Sequence, residues 1–424
     1  MNSKTLFATD DPDFVSFQYG APGKDLMPSD VMAAASASFW NDIDVNYTYL
    51  QYGPTLGDAE FLTELQSFLS KFHATPVRQE CLAITSGASQ SFSNIITLFT
   101  THKTRIIIEN PTYFLALKVL EDHGFNANEF INVPTDHDGL DVEYFETLLE
   151  REAEGGLVGG QAEPHKYSYL LYLVPTYSNP SGRSTSLARR EKIVQLARKF
   201  DVLVVCDDVY NLLPLSSQQP PERLVALDLK KSFASSPGER EFGNVVSNNS
   251  FSKILAPGMR LGWIEASPYM LNFLSKSGIM NSGGSPNHIV SGLVLSAMSL
   301  GGLESHIAML KKVYAERMHA MCDYLEVNLP QGVVFDRPEG GFFIWVRLPE
   351  GHDAFEIQQA NQKGLLYRGK KLAAVKMSYA PGRLFTVDPK ASGNCLRLTF
   401  AFFGKEKLLE GCERLCALLK EALA

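Results

Sequence analysis

The sequence predicts an α/β protein: a three-layer large domain on a mainly parallel sheet, with a smaller α+β domain beside it. Two observations carry this. From about residue 80 to 265, short apolar runs alternate with amphipathic helical stretches. Near-continuous runs of β-branched residues and Leu, separated by helices, mark strands buried on both faces, as in a parallel sheet. After about residue 285 the pattern changes: a long helical segment leads into GGFFIWVRLP, RLTFAFFG and a last helix ending KEALA. We expect the large domain over 46–295 and the small domain from 1–45 and 296–424.

The runs in order are CLAIT (81–85), RIIIEN (105–110), YSYLLYLVP (167–175), VLVVCDD (202–208), NVVSNNS (244–250) and LGWIEA (261–266). Between them, SQSFSNIITLFT and SLARREKIVQLARKF read as helices. The segment 151–166 reads as a flexible insertion. The segment 214–240, rich in Ser, Pro and Gln, reads as a looser loop. From HIVSGLVLSAMS to HAMCDYLEVNL the chain reads as one long helical segment.

Composition limits the function. The chain has 424 residues, 45% hydrophobic and 20% charged, enough for a large core. A net charge of −8 without a dense Lys/Arg block argues against a nucleic-acid surface. A phosphate-bearing small ligand needs only a few local donors, so mild acidity does not exclude one. The six cysteines form no CxxC pair and the nine histidines no HxxxH. We therefore expect no metal and no disulfide framework, as in a reducing compartment. The start, MNSKTLFATDDPDF, lacks a signal core, and no apolar run approaches the ~18 residues of a membrane span. These features point to a cytoplasmic protein with no membrane or nucleic-acid partner.

In doubly wound sheets ligands bind at the carboxyl ends of strands, so the residues after each run are the candidates for a site. After CLAIT comes SGASQ. Gly87 permits a tight turn, and the amides of Ala88 and Ser89 open a helix, either as a simple cap or as an anion cradle. After RIIIEN comes Tyr113, a core aromatic or a plate for a flat ring. After YSYLLYLVP comes TYSNPSG, where Asn179 precedes Pro180 in a turn. After VLVVC comes Asp207. A carboxylate ending a buried strand needs a partner. It either caps a following helix or holds a ligand cation. After NVVSN comes NSFSK, in which Ser250 and Ser252 stand with Arg260 as phosphate donors and Lys253 as a nucleophilic amine. Lys253 has almost no charged neighbours, unlike a lysine kept for solubility.

Together these segments resemble the fold-type I pyridoxal-phosphate enzymes, in particular the class I/II aminotransferases. The motifs SGASQ, NPTYF, SNPSG, DDVY, SFSK…GMRLGW and CLRLTFA follow the family's order over nearly the whole chain. LQYGPTLG, GGFFIWV and YAPGRLF are similar to the aminoadipate/kynurenine and aromatic aminotransferase subgroup. The resemblance implies pyridoxal 5′-phosphate as cofactor, bound by Lys253 as a Schiff base. It implies that Asp207 pairs with the pyridine nitrogen, Tyr210 and Asn179 contact the ring hydroxyl oxygen, and Tyr113 stacks on the ring. Gly87, Ala88, Ser89, Ser250, Ser252 and Arg260 are implied to hold the phosphate. Arg397 is implied to clamp the substrate α-carboxylate, with Gly20 offering backbone nearby. Tyr52 is implied to reach the active site of a second copy in a homodimer. Two departures stand out. Ser181 replaces the Thr of the family's NPTG, and Ala88 replaces a Ser in the phosphate loop, which removes one possible hydroxyl donor.

The implied chemistry is transamination between an α-amino acid, aromatic, large apolar or 2-aminoadipate-like, and a 2-oxo acid such as 2-oxoglutarate. Lys253, once freed, acts as general base and needs a pKa below the usual ~10.4. Carbon–sulfur lyases share the fold and lysine and form the alternative. A non-catalytic regulatory domain is a third reading. It expects a basic DNA-binding segment ahead of QYGAPG, for which the sequence leaves no room. A cofactor-free Schiff-base aldolase does not require the Asp207, Tyr210 and Asn179 set.

Overall fold

The computed structural model describes residues 11–155, 165–234, 243–388 and 390–424. Its centre is an eight-stranded sheet in the order Leu82–Thr85, Gly262–Glu265, Val245–Ser250, Val202–Asp207, Tyr169–Leu173, Arg105–Asn110, Ile131–Asp136, Gly139–Leu140. From Val245–Ser250 to Ile131–Asp136 the neighbours are parallel. Gly262–Glu265 is antiparallel to both of its neighbours. All six apolar runs are strands in this sheet. The pair Ile131–Asp136 and Gly139–Leu140 was not expected. Pro134 and the half-buried polar residues Asn132, Thr135 and Asp136 disguise a strand near the sheet edge, where a proline is tolerated.

Strand periodicity separates two cores. Along Val202–Asp207, Leu203 and Val205 join one buried cluster, and Val202, Val204 and Cys206 join the other. The helix Ala88–Phe99 covers the first face with Phe92, Ile95, Ile96 and Phe99. The helices Val142–Glu154 and Leu187–Lys199 cover the second with Phe145, Leu148, Leu149, Ile193 and Val194. Burying an aliphatic side chain of this kind contributes roughly 1.5–3 kcal/mol each. The result is the three-layer arrangement read from the sequence.

A four-stranded antiparallel sheet carries the C-terminal part: Val334–Phe335, Phe343–Arg347, Cys395–Thr399 and Ala380–Pro381. The N-terminal segment docks here as Val15–Ser16 pairs with Met377–Ser378. Phe17 N donates to Ser378 O at 2.8 Å, and Thr399 N donates to Phe17 O at 3.2 Å. These bonds hold Gln18–Gly20 beside the strand that bears Arg397.

Three local expectations are corrected. The long helical segment is two helices, His288–Ser299 and Gly302–Asn328, bent by 78°. Gly301 sits between them at φ 69°, a left-handed conformation that suits glycine. The loop 214–240 contains the helix Leu224–Ala234, and its remainder at 235–240 lies outside the described residues. The insertion 151–166 begins inside the helix Val142–Glu154, and 156–164 lie outside the described residues. No single described helix is long and apolar enough to cross a membrane.

One buried cation ties the sheet to its loops. The Arg190 guanidinium donates to the carbonyls of Thr185, Pro175, Pro221 and Glu222 and to Thr176 Oγ1, at 2.7–3.3 Å. Those acceptors compensate the loss of water around a fully buried charge. They also fix both ends of the turn that carries Asn179. Gly262, by contrast, is needed for lack of space. A Cβ there would stand 2.3 Å from Asn249 O and 2.9 Å from Gly87 Cα, both backbone atoms. Gly262→Ala should therefore cost about 1–3 kcal/mol, read as a lower urea midpoint at unchanged slope.

Candidate active site

A cavity of about 540 Å³ opens between the carboxyl edge of the large sheet, the N-terminal segment and the Arg397 strand. Among its lining residues are Gly20, Ala88, Ser89, Tyr113, Asn179, Asp207, Tyr210, Ser250, Ser252, Lys253, Arg260 and Arg397. Of the site residues read from the sequence, only Gly87 and Tyr52 are not in its wall. Gly87 is next to it: a Cβ there would be 3.1 Å from Arg260 Nη2. Tyr52 is 78% exposed and does not reach this chain's cavity.

Sheet topology explains the convergence. The parallel strands deliver Asn179, Asp207 and Lys253 from their carboxyl ends. Gly262–Glu265 runs the other way, so Arg260, just before it, arrives at the same edge. Arg260 has φ 46°, a left-handed turn at the entrance to that strand.

Lys253 follows the strand Val245–Ser250 in a turn, and its Nζ donates to Gly20 O at 2.8 Å. Burial pushes its pKa down to about 8, helped by the charges of Arg397 and Arg260 and opposed by Asp207. Asp207 ends the neighbouring strand and is buried. Burial pushes its carboxyl up to about 6, opposed by a hydrogen bond from Tyr172 and by the charge of Lys253. Tyr172 Oη donates to Oδ2 at 2.7 Å, while Oδ1 is buried without a partner. A turn, not a helix, follows Asp207, so the helix-cap reading of this residue falls. Asp208 points to the opposite face and accepts from Ser247 Oγ.

At one end of the cavity, donors cluster. Gly87, at φ 86°, leads directly into the helix Ala88–Phe99. Asn248 Nδ2 donates to Ala88 O at 2.9 Å and holds that first turn. Ser250 Oγ and Ser252 Oγ are 2.8 Å apart, and Arg260 Nη1 donates to Ser252 Oγ at 3.3 Å. First-turn amides, three serine hydroxyls and a guanidinium suit a phosphate dianion.

Arg397 marks the other end. Its Nη1 donates to Asn179 Oδ1 and its Nη2 to Gln18 O, both at 2.7 Å. The guanidinium lies 4.0 Å from the Phe343 ring centroid. Burial pushes its pKa down to about 10, which leaves it charged at neutral pH. Two of five guanidinium N–H groups are used in this way, so three remain. Tyr113 caps the helix Phe114–Asp122, and burial with the nearby Asp207 charge pushes its hydroxyl up to about 12.

Sequence reasoning missed Tyr172, Asn248, Phe343 and the Gln18 carbonyl. Tyr172 lies inside YLLYL and reads as one more core residue. Its signal was the hydroxyl itself, because a polar atom in a buried strand needs a partner.

The family profile described as aminotransferase class I and II matches residues 13–415. The chain belongs to that family. An aromatic-amino-acid aminotransferase of Thermococcus litoralis is 29% identical over 97% of this chain and 89% of its own. The 2-aminoadipate transaminase of Thermus thermophilus is 28% identical over 99% of this chain and 93% of its own. The crystal structure of a multiple substrate aminotransferase from Thermococcus profundus superposes with a TM-score of 0.81 at 28% identity, covering 98% and 93% of the two chains.

This aminotransferase uses pyridoxal 5′-phosphate. The residues present fit that group: an orphaned buried carboxylate oxygen on Asp207, a donor cluster of phosphate type, and a lysine held near neutrality. In the cofactor-free protein, Lys253 should react with an amine-modifying reagent along a curve centred near pH 8, not near ~10.4. Asp207→Asn removes the charge that favours the ammonium, so the midpoint should move lower; peptide mass mapping across pH checks both.

Proposed function

We propose that this aminotransferase moves the amino group of large neutral α-amino acids, aromatic ones first, to a 2-oxo acid, with 2-oxoglutarate the first acceptor to test. The observation that carries this is one cavity holding Lys253, Asp207, Arg260 and Arg397 against otherwise uncharged described walls. Tyr19, Phe114, Leu115, Val119 and Phe343 supply apolar surface for a substrate side chain. 2-Aminoadipate, the substrate named for one relative, ranks second because its far carboxylate finds no further cation on these walls.

In this reading Arg397 grips the substrate α-carboxylate with its remaining N–H groups, while Asn179 and the Gln18 carbonyl keep the guanidinium in place. Gly20 keeps backbone close to the substrate and orients Lys253 through its carbonyl. Lys253 Nζ is the covalent attachment point and then the base that takes the proton from substrate Cα. Its depressed pKa enlarges the share of free amine near neutral pH over that of an ordinary lysine. Asp207 holds the ring nitrogen positive through the unpartnered Oδ1, Tyr210 and Asn179 face the ring hydroxyl, and Tyr113 packs on the ring. Gly87, Ala88, Ser89, Ser250, Ser252 and Arg260 bind the phosphate. When bound, the cofactor supplies the electron sink that makes the α-proton acidic.

We also propose a cytoplasmic homodimer with a cofactor domain over 46–295. The six described cysteines are free and buried, in keeping with a reducing compartment. Tyr52 follows the exposed Tyr47 and Leu50 in sequence and lies against Gly283, at the end of the helix Gly278–Gly283 that carries the exposed Ile279, a surface suited to a second copy.

The test is a screen of purified enzyme against the amino acids with 2-oxoglutarate. Aromatic and large apolar donors should give the highest kcat/KM. Repeated release of pyruvate together with ammonia, without an acceptor, would replace transamination by elimination. Arg397→Gln should raise KM for the amino acid about a hundredfold while the cofactor absorbance near ~420 nm is kept. Lys253→Ala should abolish turnover, and borohydride reduction of the wild-type enzyme should leave its tag on the peptide containing Lys253.

A further inference from the structure

The two acids at the end of the Asp207 strand each accept one hydroxyl at Oδ2 and leave Oδ1 buried without a partner, but they face opposite ways. Asp208 faces the second core and is bound by Ser247. Asp207 faces the cavity and has a single side-chain donor, Tyr172. Tyr172 belongs to the adjacent parallel strand, where it pairs with Val205. It is 1% exposed, and its ring packs against Phe92 at 4.9 Å between centroids. Phe92 stands on the helix whose first turn carries Ala88 and Ser89. A phenylalanine at 172 would pack in the same way. The hydroxyl adds nothing to packing and costs free energy when buried, unless it is bonded.

A carboxylate torsion is broad and two-fold, so a buried Asp with one free oxygen is poorly defined in direction. A charge-assisted bond at 2.7 Å to Oδ2 removes that freedom and leaves Oδ1 as the open acceptor. We propose that Tyr172 is a positioning residue: its hydroxyl fixes and keeps ionised the Asp207 carboxylate that faces the cofactor ring. This rests on the assignment of Asp207 to the ring nitrogen. The other titratable groups near Asp207 are Lys253, Tyr113, Tyr210, Asp208 and, on strand Arg105–Asn110, Glu109, whose Oε1 accepts from Val174 N at 2.6 Å. Of these only Lys253 carries a positive charge, so loss of the Tyr172 hydroxyl leaves the carboxylate more easily protonated.

The test uses full-length cofactor-free wild type, Tyr172→Phe and Asp207→Asn. Pyridoxal 5′-phosphate affinity is measured by absorbance titration across pH, and Asp207 is followed by carboxyl-labelled NMR. Tyr172→Phe should weaken cofactor binding about tenfold at neutral pH, the size expected for a bond to a charged group. The Asp207 titration should move to higher pH, and the loss of affinity on acidification should begin earlier. An unchanged titration or an unchanged affinity in Tyr172→Phe overturns the proposal. If Asp207→Asn also binds like wild type, the assignment of Asp207 itself fails. If only Tyr172→Phe does, the assignment stands and the role of Tyr172 falls. Should Tyr172→Phe not fold, 3-fluorotyrosine at 172, a stronger acid of the same shape, must move the Asp207 titration to lower pH; no movement overturns the proposal.

Discussion

An amine and a carboxylate share one cavity with restricted access to water, and the rest of the site is arranged around that pair. Burial alone drives both Lys253 and Asp207 toward their neutral forms. Each opposes the shift of the other. Arg397 and Arg260 bias the lysine further toward the free amine, and Tyr172 biases the acid back toward its ion. The two proposed roles pull in opposite directions. The base must be uncharged to accept a proton, and the acid must be charged to hold a cation. Distinct neighbours allow both within one small volume.

The fold provides those neighbours by bringing distant segments to one edge. Parallel strands end together, so Asn179, Asp207 and Lys253 meet although they are far apart in sequence. The N-terminal segment crosses to the small sheet and brings the Gln18 and Gly20 carbonyls to the two key cations. Arg190 pins the Asn179 turn from beneath, through the carbonyls of Thr185 and Pro175. The site is thus tied down at its base, while the exposed side chain of Leu115 brings one wall of the cavity to the surface.

The core of this plan was legible in the sequence because its signals are local. Apolar runs marked the strands, and the small polar clusters after them pointed to Lys253, Asp207, Asn179, Ser250 and Ser252, which line one cavity. Signals that depend on tertiary context were lost. Pro134 hid the strand Ile131–Asp136. Gly301 broke a helix whose composition reads as continuous. The choice between a helix cap and a ligand anchor at Asp207 needed the turn that follows it. Tyr172 was invisible because its importance lies in a cross-strand partner, 35 positions away, that no spacing rule specifies.

The reversed strand Gly262–Glu265 has one more effect. It sets Arg260 beside Ser86 and Gly87, roughly 170 positions earlier in the chain, so the anion cradle exists only after the first and last strands of the sheet have met. Capture of the vitamin-derived ligand therefore reports completed assembly of the domain. A ligand that recognises only the finished fold stabilises it by mass action.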